Sequence, residues 1–354
     1  MSLKALWNPI ALDEKTPNLA RSSHGLAQVG NELILFGGEL KPRTPVDGDV
    51  LVVKSLATSP EISTLSCSND GSNPWPASRV GASFVSASNG KVYMWGGRGG
   101  TEMGTFTSER GIWEFDPQTR KWEELETRGD QPEPRSFHTM CAHENKLYLH
   151  AGCPASGRLT QLHSLDLDTL EWTQLEDAPA PGRGGTVLTS LPPSSSGRPS
   201  LLARFGGFAG HELDGLDVFD VEKKEWRAVE VEGESPEKRS VHVFVGLGDE
   251  LEHEGKSVVA VLALGEREGA PAELGHNGAG CFHDDAWALL ATREAQPKFT
   301  WARLESSSRS EGAPKARGWL PAARVAGAKV VFQGGLNEKN ERLGDAWSLE
   351  VVVE

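Results

Sequence analysis

Six times along the chain an apolar run ends in a doublet closed by glycine, its first residue small in all but VVAVLALG: LILFGG ending at Gly38, VYMWGG at Gly97, LYLHAG at Gly152, LLARFGG at Gly207, VVAVLALG at Gly265 and VVFQGG at Gly335. After most doublets comes a polar loop, then a short strand carrying a Trp or Asp, in GIWEFD, LHSLDLD, LDVFD, DAWALL and DAWSLE. A second Trp then recurs in RKWEEL, LEWTQL, KEWRAV and FTWARL. Self-similarity at this spacing marks a repeat architecture, and each repeat reads as four short strands.

Each unit also opens with an arginine ahead of its first strand: Arg21, Arg79, Arg135, Arg183, Arg239 and Arg317. Six openings and six doublets predict an all-β, six-bladed propeller of the kelch type as a single domain over residues 1–354. The blades are expected near 20–66, 78–125, 134–175, 182–229, 238–304 and 317–352. The last unit lacks a fourth strand, whereas LKALWNP at the N-terminus has the form of one, with its Trp7. The N-terminal strand, residues 3–9, is therefore expected to complete the last blade, closing the ring and removing exposed edges. The glycine doublets read as turns that need positive φ and leave no room for a Cβ. The Trp series reads as packing between blades.

Composition narrows the function classes. Forty Gly and 11 Trp without low complexity agree with many short strands joined by tight turns. A formal charge of -14 gives no general electrostatic support for a nucleic-acid or membrane-surface partner. The N-terminus has no apolar core of the length a secretory signal needs, and no window approaches a membrane span, so the chain reads as soluble and cytoplasmic. Cys67, Cys141, Cys153 and Cys281 show no close pairing and read as reduced and mostly structural.

Strand parity puts the opening arginines and the loops after the doublets on one face, around one mouth of the channel. Those loops are short except in the fifth unit, where EREGAPAELGHNGAGCFHDD runs from Glu266 to Asp285. An insertion of this length on a propeller face points to function. It holds Glu266, Glu268, Glu273, His276, His283, Asp284 and Asp285. Two carboxylates and one imidazole with open positions suit a non-haem Fe(II) or another divalent ion, set against a plain solvated acidic loop. The repeat-wide arginines are expected to tie each blade to the next, leaving a residual positive funnel for an anionic small ligand. Arg98 and Arg158 lack repeat-wide counterparts and are the better ligand candidates. His24, His138 and His242, each three residues after an opening arginine, point to packing or inter-blade hydrogen bonds.

RSSHGLAQVGNELILFGGE, RSFHTM, GFAGHELDGLDVFD, APAELGHNGAGCFHDDAW and ARGW together resemble the plant specifier proteins of glucosinolate breakdown, over nearly the whole chain. These comprise the nitrile-specifier, epithiospecifier and thiocyanate-forming proteins, and the run from Leu274 to Phe282 is the most specific part. The resemblance implies a ferrous ion held by Glu266, Glu273 and His276, where Glu273 stands in place of an Asp and Glu268 is an alternative for the first ligand. It also implies a substrate pocket formed by Arg98, Arg158, Phe137 and Trp319, with the arginines on the sulfate of a thiohydroximate O-sulfonate and the aromatics around its side chain.

The function so implied is an Fe(II)-dependent, carbon-sulfur lyase-like protein that directs the breakdown of a small anionic sulfur compound toward nitrile-type products. The alternative is a kelch scaffold that binds a protein partner and does no chemistry; a protein partner or a homodimer stays open. Copper radical oxidase chemistry is disfavoured, because the only tyrosines, Tyr93 and Tyr148, lie in strand runs just before doublets.

Overall fold

The structure, a computed structural model, describes residues 2–12, 19–54, 60–67, 73–106, 111–191, 193–194, 197–271, 273–275, 278–308 and 312–354. The described chain is all-β, with most of its strands in six largely antiparallel sheets arranged as propeller blades and the rest in three two-stranded ribbons. Blade one holds Gly25–Val29, Glu32–Phe36, Val50–Lys54 and Glu61–Leu65, and blade two Ser83–Ser86, Val92–Trp95, Gly111–Asp116 and Lys121–Glu126. Thr139–His143, Lys146–His150, Leu162–Asp166 and Glu171–Gln174 make blade three. Blade four is Val187–Leu191, Leu201–Phe205, Leu216–Asp220 and Glu225–Val229. Blade five is Val243–Gly246, Lys256–Ala263, Ala286–Ala291 and Phe299–Arg303. Blade six is Ala322–Ala326, Lys329–Gln333, Ala346–Val353 and the N-terminal strand Leu3–Ile10.

The apolar runs are continuous because each blade is buried on both faces. In blade one Ile34 packs toward blade two, while Leu33 and Leu35 pack toward blade six. In blade two Tyr93 faces blade three, and Val92 and Met94 face blade one. The Trp of each outer strand lies in the seam with the preceding blade: Trp122 on blade one, Trp172 on blade two, Trp226 on blade three, Trp301 on blade four and Trp7 on blade five. Blade one has Ile62 at that register. His138 stands edge-on to Trp95, and His242 edge-on to Phe205, so these buried histidines are seam packing too.

Closure follows the expected route and extends beyond it. Leu3–Ile10 pairs antiparallel with Ala346–Val353 along its full length. Glu305–Ser308, leaving blade five, then pairs parallel to its outer side, so blade six has a fifth strand that covers the edge.

The repeat-wide arginines act differently from expectation. Each guanidinium turns back into its own blade and donates to the carbonyl of the first doublet residue: Arg21 to Gly37, Arg79 to Gly96, Arg135 to Ala151, Arg183 to Gly206, Arg239 to Leu264 and Arg317 to Gly334. Arg239 and Arg317 also clamp Asp285 and Asp345 in bidentate pairs. The tie between blades is made by the arginine's backbone. The amide of the second doublet residue donates to the next blade's arginine carbonyl, at 2.8–3.0 Å, in all six seams. All six side chains are buried, so they form no funnel at the mouth.

Two residues past each arginine the chain takes positive φ, at Ser23, Gly81, Phe137, Gly185, Val241 and Trp319. The amide of each donates to the carbonyl of the one before, Trp319 to Val241 and Ser23 to Trp319 included, at 2.7–2.9 Å. The six bonds form a closed ring around the channel.

Trp7 is 1% exposed and edge-on to Phe332. Trp7→Ala is expected to cost about 3–5 kcal/mol, as buried Trp truncations do, in a denaturant melt; a loss under ~1 kcal/mol would show that the N-terminal strand does not hold the ring. Gly37 and Gly30 both have positive φ, but a Cβ on Gly37 would lie 2.5 Å from the Arg79 carbonyl oxygen while one on Gly30 meets nothing. Gly30→Ala should therefore lose only the ~1–2 kcal/mol of left-handed strain, and Gly37→Ala clearly more in the same melts.

Candidate functional site

The residue directly after each doublet is bridged to the residue directly after the opening arginine: Ser22 with Glu39, Val80 with Arg98, Ser136 with Cys153, Gly184 with Phe208, Ser240 with Glu266 and Gly318 with Leu336. This confirms that both sets of loops share one mouth. All six post-doublet residues line one cavity of about 580 Å³ there. Equivalent backbone positions thus present a Glu, an Arg, a Cys, a Phe, a second Glu and a Leu, so the repeat fixes the scaffold while the cavity chemistry differs blade by blade.

Phe137 and Trp319, on the hydrogen-bonded ring in opposite blades three and six, meet across the channel with centroids 5.4 Å apart and planes at 87°. They form an aromatic floor. Arg98 Nε donates to Ser136 Oγ at 2.7 Å, and its guanidinium carbon lies 5.5 Å from the Phe137 ring centroid. Half-burial lowers its pKa. Arg158 is exposed and stands 4.7 Å over the Phe208 ring. Between the two arginines Cys153 lines the cavity, its thiol pushed up by burial and drawn down by Arg158 and Arg98. Arg43 joins this basic side, while Arg342 is tied to Glu39 at 3.0 Å.

The opposite wall is acidic. Glu266 is 6% exposed, and its Oε2 accepts a hydrogen bond from Trp319 Nε1 at 2.9 Å. Burial first, then the charge of Glu212, raises its pKa to about 7. Gly280 is packed against it so closely that a Cβ would sit 2.3 Å from Glu266 Oε1. The fifth-blade loop therefore folds over the mouth: Glu266–Glu268 pairs with Cys281–Phe282, and Gly269, Ala270, Gly275 and Gly278 line the cavity.

Of the residues singled out from sequence, Arg98, Arg158, Phe137, Trp319 and Glu266 come together around this cavity. Glu273 and Glu268 are exposed, and His276 lies outside the described residues. His283 and Asp285 have structural partners, the carbonyl of Lys238 and the side chains of Arg239 and Trp287. Among the described residues no group of three or more His, Cys, Asp or Glu is placed to hold a metal ion. A buried carboxylate facing the cavity with no cation paired to it among the described residues is of a type that suits a hard or borderline cation. Glu212, Cys153, Phe208 and Arg43 are cavity residues that the motifs did not flag. For Cys153 and Phe208 the signal was available, since both occupy the post-doublet position of their repeats.

Comparison with known proteins bears on the family and the fold. The chain is 26% identical over 355 residues to an N-(sulfonatooxy)prop-2-enimidothioate sulfolyase of Thlaspi arvense, spanning 94% of this chain and 92% of that protein. It is also 26% identical to kelch domain-containing protein 3 of Bos taurus, over 93% of this chain and 81% of the relative. The solved structure titled "Structure of YjhT" superposes with a TM-score of 0.66 at 14% identity, covering 94% of this chain and 95% of that one, a likeness of fold. The model of the KLHDC2/KLHL20/DRC7 kelch-repeats domain matches residues 23–253, well over half the chain, and the protein belongs to that kelch-repeat family.

Proposed function

We propose that this chain is a specifier-type, lyase-like protein that takes a small anionic sulfur compound of the thiohydroximate O-sulfonate type into the mouth cavity and directs its breakdown toward a nitrile. One observation carries the reading: a single cavity sets a basic wall, Arg98 and Arg158, against a buried acidic wall at Glu266, over the Phe137–Trp319 floor. The name of the Thlaspi arvense relative, a sulfolyase of an O-sulfonated enimidothioate, supports the same reading.

In this reading Arg98 and Arg158 hold the sulfate through charge-assisted hydrogen bonds and stabilise its negative charge as the N–O bond breaks. Phe137 and Trp319 enclose the side chain and exclude water. Glu266, with Glu273 and His276 by resemblance, would hold Fe(II). The Trp319 indole keeps the Glu266 carboxylate in one orientation. When bound, the ion would offer an open position to the substrate sulfur. The reaction balances without an added oxidant or reductant: the thiolate dianion gives the nitrile, a sulfate dianion and one sulfur atom. The protein's part is orientation rather than acid–base chemistry.

A second reading, a kelch scaffold for a protein partner, is favoured by Leu274, a large apolar side chain left 50% exposed on the fifth-blade loop. It predicts neither Fe(II) uptake nor any change in product.

With Fe(II) present, addition of the protein to a glucosinolate and myrosinase mixture is expected to raise nitrile at the expense of isothiocyanate, read by gas chromatography. Arg98→Ala should cut the nitrile yield about tenfold or more, the worth of a charge-assisted hydrogen bond; an unchanged ratio with the wild-type chain would overturn the specifier reading. Metal and proton compete for Glu266, whose carboxyl is held near 7 chiefly by burial. Divalent-ion affinity measured by calorimetry should therefore be flat above about pH 8 and fall up to about tenfold per unit below pH 6, a slope that Glu266→Gln makes shallower.

A further inference from the structure

Blade four contributes an acid to the cavity that neither the repeat nor the fifth-blade loop calls for. The loop after its doublet is a tight hairpin: Phe208 bridges Gly184 on one side and Glu212 on the other, and the Ala209 amide donates to the His211 carbonyl. This geometry turns Glu212 inward while His211 stays exposed. Glu212 is 5% exposed, lines the cavity, and leaves its buried Oε1 without a hydrogen-bond partner among the described residues.

A buried carboxylate oxygen with no partner is costly, and a second carboxylate in the same cavity makes it more so. Glu212 is near enough to Glu266 for its charge to raise that residue's pKa, and burial raises its own. Among the described residues no salt bridge reaches Glu212; the charges of Lys238 and His211 act on it without an ion pair, Arg158 lies over Phe208, and Arg43 lines the cavity on the basic side. Arg98 bonds Ser136 on the opposite wall, Arg342 is tied to Glu39, and the repeat-wide arginines are turned into their blades. Trp319 satisfies Glu266 Oε2 but does not reduce the negative charge. A cation shared by the two carboxylates would relieve both the repulsion and the unsatisfied oxygen.

We propose that Glu212 is a further ligand, beside Glu266, for a divalent cation in the mouth cavity, so that the ion is gripped from blade four as well as from the fifth-blade loop. The proposal rests on the reading of the cavity as a metal site. An oxygen-rich pair of this kind takes Mn(II), Fe(II) or Mg(II). It also draws the ion toward the channel, against the floor and opposite Arg98.

The test titrates the full chain with Mn(II), followed by calorimetry and by the electron paramagnetic resonance of free Mn(II), and with Fe(II) under anaerobic conditions. Wild type is expected to bind one ion per chain, and Glu212→Gln to weaken binding at least about tenfold, as lost metal-site contacts do. The metal-free melting temperature of that variant should hold or rise, because a repulsion has been removed. Should Glu212→Gln misfold, Glu212→Asp keeps the charge but retracts it, and is expected to weaken binding while folding normally. Glu273→Gln and His276→Ala report on the loop ligands separately. If these two abolish binding and Glu212→Gln stays within twofold of wild type, the blade-four ligand is overturned and the loop site stands. No ion bound by wild type would overturn both.

Discussion

The structure depends on a closed ring of six backbone hydrogen bonds, in which Ser23, Gly81, Phe137, Gly185, Val241 and Trp319 each donate to the carbonyl of the one before. Every member holds positive φ, four of them without the freedom of glycine, at roughly 1–2 kcal/mol of strain each. The ring bond offsets part of that strain, and the seam bond from the doublet amide to the arginine carbonyl offsets more. Six blades satisfy both sets together only when the circle is complete. The N-terminal strand therefore matters far from its own sheet, since without it blade six would lose its outer strand and the ring its last rigid member.

This constraint also explains how the mouth can be specific. The six opening arginines look from sequence like a source of positive field, and burial with carbonyl and carboxylate partners removes them from that role. Arg79, Arg135 and Arg183 are lowered only to about 10 by burial, so they stay charged at neutral pH while facing inward. The field in the cavity comes instead from positions at which single repeats depart from one another. Arg98 and Glu266 occupy the same structural position in blades two and five, and opposite charge on a common scaffold gives the cavity its polarity.

Blade number, ring closure and the shared face were legible because they rest on features repeated six times, with apolar runs buried on both faces and a Trp in nearly every outer strand. The covering strand Glu305–Ser308 was not, since ESSS has no apolar alternation and owes its pairing to proximity with Leu3–Ile10. The arginines' role was half legible: their regularity marked them as structural, but whether a guanidinium turns into its own blade or the next depends on rotamers that spacing does not encode. Arg98 was readable as a pocket residue from its place directly after a doublet on the mouth face, whereas Phe137 and Trp319 were legible only through the resemblance to the specifier proteins. Glu212 and Glu273 sit in irregular loops without such a period, and only the fold shows one buried and the other exposed.

The site residues are joined in one physical chain across the channel. Glu266 accepts from the Trp319 indole, Trp319 meets Phe137 edge to face, Phe137 lies beneath the Arg98 guanidinium, and Arg98 donates to Ser136. Each contact limits a rotamer of the next, so the acidic wall, the floor and the basic wall are ordered together before a ligand arrives. Under the proposed function, a ligand with separated negative and metal-binding ends would meet Arg98 on one wall and an ion held at Glu266 on the other, and little binding energy would be lost to ordering side chains. A ligand with one charged end satisfies one wall and leaves the other desolvated and unpaired, which penalises it. Selectivity for a bipolar ligand follows from that asymmetry, and the source of the asymmetry is the ring that sets Phe137 and Trp319 opposite each other.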